Sequence, residues 1–258
     1  MTFQTPHEFS LSTYQEMLEH FKTSGWRFDL FRAFGDSIVT PQTVLLRHDI
    51  DAELYLLEPF LEVENRCNIR STFFVMLESP LYNPFSPEGR AIIKRITDVG
   101  HEIGLHFFGE IYVHLNPDEL RHEIMSQATR LSQLTQQKVP AFSFHQPTTE
   151  MIELDLEIPG MVNTYHTKTM RSLTYVSDTN MDWRPASPQS VMAGGTTRIQ
   201  LLIHPIWWIM KSPSAAGRWK QAIEQLSICH ARHLLIRERT LVGLNTTDLS
   251  AVPATPKP

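Results

Sequence analysis

The sequence predicts an α/β fold: a parallel sheet of seven strands, curled toward a barrel and wrapped by helices. Three observations lead there. Short β-rich runs alternate with helical patterns, the order that builds βαβ units and a parallel sheet. Seven such runs occur, a number that suits a barrel better than an open sheet. The clearest helices open on a capping residue followed by proline.

Taken in chain order, the first strand is expected over residues 44–51 and a helical pattern follows over 52–65. The second strand covers 69–77. Ser86-Pro87-Glu88 then opens a helix that runs through Ile92, Ile93 and Ile96 to a C-cap at Gly100. A strand over 101–107 comes next. Asn116-Pro117-Asp118-Glu119 starts the longest helix, with acids in its first turn and a stripe of Leu120, Ile124, Ala128, Leu131 and Leu134 at helical spacing. Strands follow over 139–145, 161–166, 173–177 and 198–204. Ser212-Pro213 opens a last helix carrying Trp219, Ile223 and Leu226.

Composition narrows the function classes. The 258 residues carry 23 basic and 28 acidic side chains, a net charge of −5 without a basic run, which excludes an electrostatic nucleic-acid binder. A chain that is 41% hydrophobic and 20% charged buries an ordinary globular core. Cys67 and Cys229 lie far apart and form no Cys-x-x-Cys, so neither a disulfide scaffold nor a zinc ribbon is expected, only buried thiols. The apolar run 201–210 is interrupted by His204 and Pro205 and is too short to span a bilayer. The first residues lack the basic and apolar regions of a signal peptide, so the expectation is a cytoplasmic protein. One domain is expected over 1–244, with an N-terminal helical extension. A flexible Thr- and Pro-containing tail covers 245–258, where the sequon at Asn245 is read as chance.

The strand ends carry the chemistry. Leu45-Leu46-Arg47-His48-Asp49-Ile50-Asp51 finishes an apolar run with two carboxylates, and three further strands end in His106, His145 and His204. The carboxyl ends of parallel strands open on one face, where α/β active sites are built. Asp and several His on one rim are the ligand chemistry of a zinc-type site. Asp49 and Asp51 point to the same side of a strand. Two like charges so close divide their labour, one as metal ligand and one as general base. A helix-capping role for Asp51 is the plain alternative. Glu110, four residues after His106, joins the ligand candidates if that segment forms a helical turn. His7, His20, His48, His101, His114, His122, His166, His230 and His233 read as structural or surface residues. The Tyr82-Asn83-Pro84-Phe85 segment, between a strand and a helix cap, is a rim loop within reach of substrate.

The order His-Asp-Ile-Asp, Gly-His-Glu-Ile-Gly-Leu-His, Phe-His-Gln-Pro, Asp-x-x-x-Asp-Trp and Leu-Leu-Ile-His-Pro resembles the polysaccharide deacetylases with a NodB homology domain, carbohydrate esterase family 4. It is most similar to the deacetylase-like proteins of bacterial surface-polysaccharide (O-antigen) gene clusters. The resemblance runs from about residue 44 to 208. It implies a distorted (β/α)7 barrel, a divalent metal, commonly zinc, and hydrolysis of an N-acetyl group from an amino sugar. It makes Asp49 the general base, Asp51 and His106 metal ligands and His204 the general acid. Asp182 and Trp183 match the pair that shapes the pocket, with Arg184 held by Asp182 beside the base, and Trp207 is a candidate for stacking on a sugar face. Two positions depart from the family pattern. Its second metal histidine is here Glu110, and its third-motif arginine is here His145. The third ligand is then His145, favoured by its place at a strand end, or Glu110. A metal-free relative that acts on another small amide (formyl or ureide), or only binds carbohydrate, is the rival. With a cytoplasmic location, a nucleotide-linked or lipid-linked sugar precursor is the expected substrate rather than mature polymer.

Overall fold

The computed structural model describes residues 9–36 and 40–238. His7 and the 245–258 tail lie outside the described residues. Eight strands form one parallel sheet: β1 (Arg27–Asp29), β2 (Thr43–Ile50), β3 (Thr72–Val75), β4 (Glu102–Phe107), β5 (Ala141–Phe144), β6 (Val162–Asn163), β7 (Thr174–Ser177) and β8 (Arg198–Ile203). The order is β6-β5-β4-β3-β2-β8-β7, with β1 flanking the start of β2. All seven expected strands are present. β1, three residues long, is the strand that periodicity does not reveal; it pairs with the first half of β2 on the side where β3 pairs with the second half. The edge strands β6 and β7 are not paired with each other, so the distorted barrel is open along one seam.

The helices begin where their caps direct. The helix α1 (Leu11–Thr23) carries a Ser10–Thr13 capping box, and α2 (Phe31–Asp36) follows β1. After β2 the expected 52–65 helix divides into a 3₁₀ turn (Leu54–Leu56) and α3 (Glu58–Arg66), with Pro59 near the α3 start. The Ser86 hydroxyl accepts the Gly89 N–H at the head of α4 (Pro87–Asp98). That helix stops at Gly100, whose φ of +89° suits a residue without a side chain. Asn116 and Glu119 form a full capping box on α5 (Pro117–Thr135). Three short helices follow: α6 (Thr149–Glu153), α7 (Thr167–Ser172) and α8 (Pro188–Ala193). After β8 come α9 (Ile206–Ile209) and α10 (Ala215–Glu238). This last helix starts past Ser212-Pro213, because Ser214 takes the cap and accepts the Gly217 N–H at 3.1 Å. No helix among the described residues is long and apolar enough to cross a membrane.

The sheet separates two cores. Outside it, α1, α3, α4 and α5 bury a large cluster that includes Tyr14, Phe60, Phe73, Ile93 and Leu131. Inside, Phe31 from α2 closes the amino-terminal end over Leu45, Phe74, Ala141 and Val162. Gly104 lies on that inner face, where a Cβ would stand 2.6 Å from the Phe74 ring. The alternation that puts Leu45 inside also puts Arg47 and Asp49 inside, above the apolar plug. It puts His48 on the outer face. There His48 Nε2 lies 2.6 Å from Glu64 Oε1, while the Ser71 hydroxyl donates to Glu64 Oε2 at 2.6 Å and His101 Nδ1 lies 3.4 Å from it. Burial opposes charge on both partners. It dominates at His101, held down to about 4 despite Glu64, whereas His48 outweighs it at Glu64, held down to about 2. His48 and His101 are therefore anchors between α3 and the sheet.

Candidate metal and acid–base centre

Three strand ends converge on one point. Asp51 follows β2, His106 is the fifth residue of β4, and His145 follows β5, its N–H donating to the Phe107 carbonyl at 2.8 Å to extend the ladder. Asp51 Oδ1 lies 3.2 Å from His106 Nε2 and 3.1 Å from His145 Nδ1, and the two nitrogens are 3.2 Å apart. Among the described residues this is the group of His, Cys, Asp and Glu atoms placed to hold a metal ion.

The triangle fits a cation. Corners of a tetrahedron whose centre lies ~2.0–2.1 Å from each are about 3.3 Å apart, close to the three edges observed. His106 Nδ1 lies 2.7 Å from Ser143 Oγ, and the Ser143 hydroxyl in turn reaches Asp49 Oδ1 at 3.5 Å. With its proton on Nδ1, His106 would turn an Nε2 lone pair toward the space between a carboxylate oxygen and a second imidazole nitrogen, the donor set of a cation. Asp51 makes none of the cap hydrogen bonds its place before a helix allowed: the 3₁₀ turn has Glu53 as N-cap and no side-chain cap bond.

Asp49 sits beside this centre and is held by Arg47. Arg47 Nε donates to Asp49 Oδ1 at 2.8 Å and Nη2 to Oδ2 at 2.7 Å, with both side chains buried. The guanidinium also stacks 4.8 Å over the Tyr165 ring and donates to its hydroxyl at 3.0 Å. Burial alone would push the Asp49 carboxyl up; Arg47 and His106 outweigh it and hold the group below the usual carboxylate range. Burial acts the same way on Asp51, and the hydrogen bonds of His106 and His145 overcome it. Glu53, fully buried two residues on, lacks such partners and is pushed up to about 8 by burial and then by the Asp51 charge.

His204, the first residue after β8, is the acid–base candidate on the other side. Its Nδ1 donates to Asp178 Oδ1 at 2.7 Å, and its backbone N–H lies 3.1 Å from both Asp178 oxygens. Trp208 Nε1 donates to Asp178 Oδ2 at 2.8 Å. Burial works against the imidazolium, but Asp178, with Asp51 and Asp49 behind it, lifts His204 to about 9.

The remaining predicted residues fall elsewhere. Glu110 is exposed in a 3₁₀ turn (Gly109–Tyr112), because the chain after β4 does not continue as a helix that would bring it under His106. Asp182 and Arg184 pair with each other at 3.7 Å with side chains 72% and 61% exposed, so Arg184 is at the surface and Arg47 is the cation on Asp49. Trp183 is half-buried against Phe9 and Trp208. Trp207 is 3% exposed, packed between His204 and Trp219, and a sugar does not reach its face. Glu110→Ala is accordingly expected to leave metal content and thermal stability unchanged, as elemental mass spectrometry and a melting curve would show; loss of metal would bring Glu110 back into the ligand set.

Two residues escape the motif reading, Arg47 and Asp178. Both carry a signal. A charged side chain inside an apolar strand run needs a partner, and Asp49 is its same-face neighbour. Asp178 directly follows β7, as Asp51 follows β2.

No protein-family model matches the chain, and no curated protein matches it. Among solved structures, similar ones include the Streptococcus pyogenes deacetylase PplD in complex with acetate, at 15% identity over 83% of this chain and 86% of that one, with a TM-score of 0.45. The peptidoglycan deacetylase PdaC from Bacillus subtilis aligns at 15% identity over 77% and 98%, with a TM-score of 0.44. A CE4 family pseudoenzyme from Bacillus anthracis aligns at 20% identity over 71% of this chain, which spans 60% of that protein, with a TM-score of 0.40. The barrel assignment itself rests on the strand order and register described above.

Proposed function

We propose that the protein is a metal-dependent hydrolase that removes an N-acetyl group from an amino sugar, in the making of a bacterial surface polysaccharide. The observation that carries this reading is the Asp51–His106–His145 triangle, flanked on one side by the clamped Asp49 and on the other by the Asp178-held His204. The motif order from residue 44 to 208 supplies the substrate class and points to zinc as the ion. A divalent cation held by those three residues supplies Lewis acidity toward a carbonyl and makes water more acidic, toward a pKa of ~7.

The chain's own groups do the rest. Asp49, charged and fixed in direction by Arg47, accepts the proton of the attacking water. Ser143 ties Asp49 to His106, so base and ligand share one hydrogen-bonded frame. His204, cationic at neutral pH, donates a proton to the amide nitrogen, a poor leaving group until protonated. Asp178 keeps that imidazole oriented.

The test is the metal content of protein purified without chelator, together with acetate release from a panel of N-acetylated amino sugars. About one ion per chain and released acetate are expected. No ion even after zinc is supplied, with no acetate, would leave the metal-free rival, which acts on another small amide or only binds carbohydrate. The acid role adds a pH signature. Activity should fall on the alkaline side as pH rises through about 9, where His204 is held. Asp178→Asn should move that limb to lower pH. The folded value is raised, so the stability His204 contributes is complete below ~6.5 and fades as pH climbs through about 9.

A further inference from the structure

We infer that the cavity at the amino-terminal end of the barrel binds an organic phosphate of nucleoside diphosphate type, at a site separate from the metal centre. The site is independent of the hydrolase reading above.

The cavity has a volume of about 680 Å³, within the ~300–1,000 Å³ usual for small-molecule sites. Glu102, Pro140 and Val162, at or just before the starts of β4, β5 and β6, place it at the end of the sheet opposite the strand ends that carry Asp51, His106 and His145. The apolar plug of Phe31, Leu45, Phe74 and Ala141 lies between the two ends. Its occupant is therefore not the molecule being hydrolysed.

The lining is cationic in a chain whose net charge is −5. Arg32 from α2, Lys138 from the segment before β5 and Lys168 from α7 converge on it, against the carboxyls of Glu102 and Glu157. Both lysines are exposed, and among the described residues neither ammonium has a carboxylate within ion-pair distance. Lys138 is set against the wall: a Cβ on Gly160 would stand 3.2 Å from its Nζ, and Gly160 occupies the turn closed by the Met161 N–H on the Ile158 carbonyl at 3.1 Å. Glu102 is 3% exposed and already accepts the Thr72 hydroxyl at 2.8 Å and the Arg32 N–H at 3.3 Å. Burial pushes its carboxyl up, which weakens its repulsion of a second anion. Three cations with spare donors suit a multiply charged phosphate better than a single carboxylate. Phe34, Leu156, Ile158 and Met161 form an apolar wall beside them. That wall suits a planar base and pentose, which inorganic phosphate would leave unmatched.

Calorimetric titration of the full-length protein with uridine diphosphate, uridine and pyrophosphate, each with and without EDTA, tests this. The diphosphate nucleoside should bind about tenfold tighter than either fragment. Its affinity should be the same in EDTA, since no ion at the other end of the barrel takes part. Raising the salt from ~50 to ~500 mM should weaken it several-fold by screening. Lys138→Ala and Lys168→Ala should each weaken it about fivefold, the upper end for an exposed ion pair. Melting curves of both variants should match the wild type, because neither ammonium is paired in the fold. Uridine diphosphate that fails to bind, binding lost in EDTA, an affinity that survives both lysine variants, or pyrophosphate that binds as tightly overturns the site.

Discussion

Replacing Asp51 by alanine is expected to strip the protein of its metal ion while leaving the barrel folded. The triangle has one anionic donor, and removing it leaves two imidazoles to hold a divalent cation without charge compensation. Metal content should fall from about one ion per chain to below a tenth. Turnover should drop at least as far as loss of a single acid–base group costs, ~10²–10⁴-fold. Folding should tolerate the change: His106 and His145 lose their contacts with Asp51, but the like charge that pushes the buried Glu53 up goes with it. The contrast is Asp49→Asn. That change keeps the shape and the three ligands, so the ion should stay, while the ~10²–10⁴-fold rate loss appears through the missing base. Elemental analysis beside single-turnover assays of both variants separates the roles. Normal metal in Asp51→Ala would falsify the ligand assignment, and full activity in Asp49→Asn would remove the base.

The pairing of these two carboxylates shows what the sequence makes legible. Strand ends were readable because burial leaves apolar runs, and a charge at the end of such a run has nowhere to go but the rim. That logic finds Asp49, Asp51, His106, His145 and His204. It also favours His145 over Glu110, since a residue continuing a strand ladder is held while one in the following turn is not. What it misses is partner choice. In Asp-x-x-x-Asp-Trp two carboxylates are four apart, and the one joined to β7, Asp178, turns inward to His204 while Asp182 turns to solvent. Spacing alone carries no sign of which it is, because the turn at Thr179–Met181 passes through a left-handed Asn180 that no periodicity predicts. Trp207 fails for a related reason: α9 is four residues long, so its two tryptophans both face the core. β1 fails because three residues are too few for a pattern.

Arg47 is expected to be the most costly single residue of the site to remove. Its side chain is fully buried and bridges both oxygens of an equally buried carboxylate. In Arg47→Ala the Asp49 charge stays in place without its counter-ion, and breaking a buried pair in this way costs ~3–5 kcal/mol. Arg47→Lys should recover part of that, since an ammonium neutralises the charge but cannot make two parallel hydrogen bonds to a carboxylate or stack on the Tyr165 ring. The informative variant removes both partners. Arg47→Met with Asp49→Leu leaves no orphaned charge, so urea unfolding should show it more stable than Arg47→Ala by several kcal/mol, or close to the wild type. It should still hold metal at Asp51, His106 and His145 and have no measurable turnover. That combination would show that the ion pair is kept for what it does to Asp49 rather than for the stability of the barrel. If the double variant unfolds as readily as Arg47→Ala, the guanidinium contributes mainly by filling the space between Phe74 and Tyr165, and the fixing of the base must come from Ser143 instead.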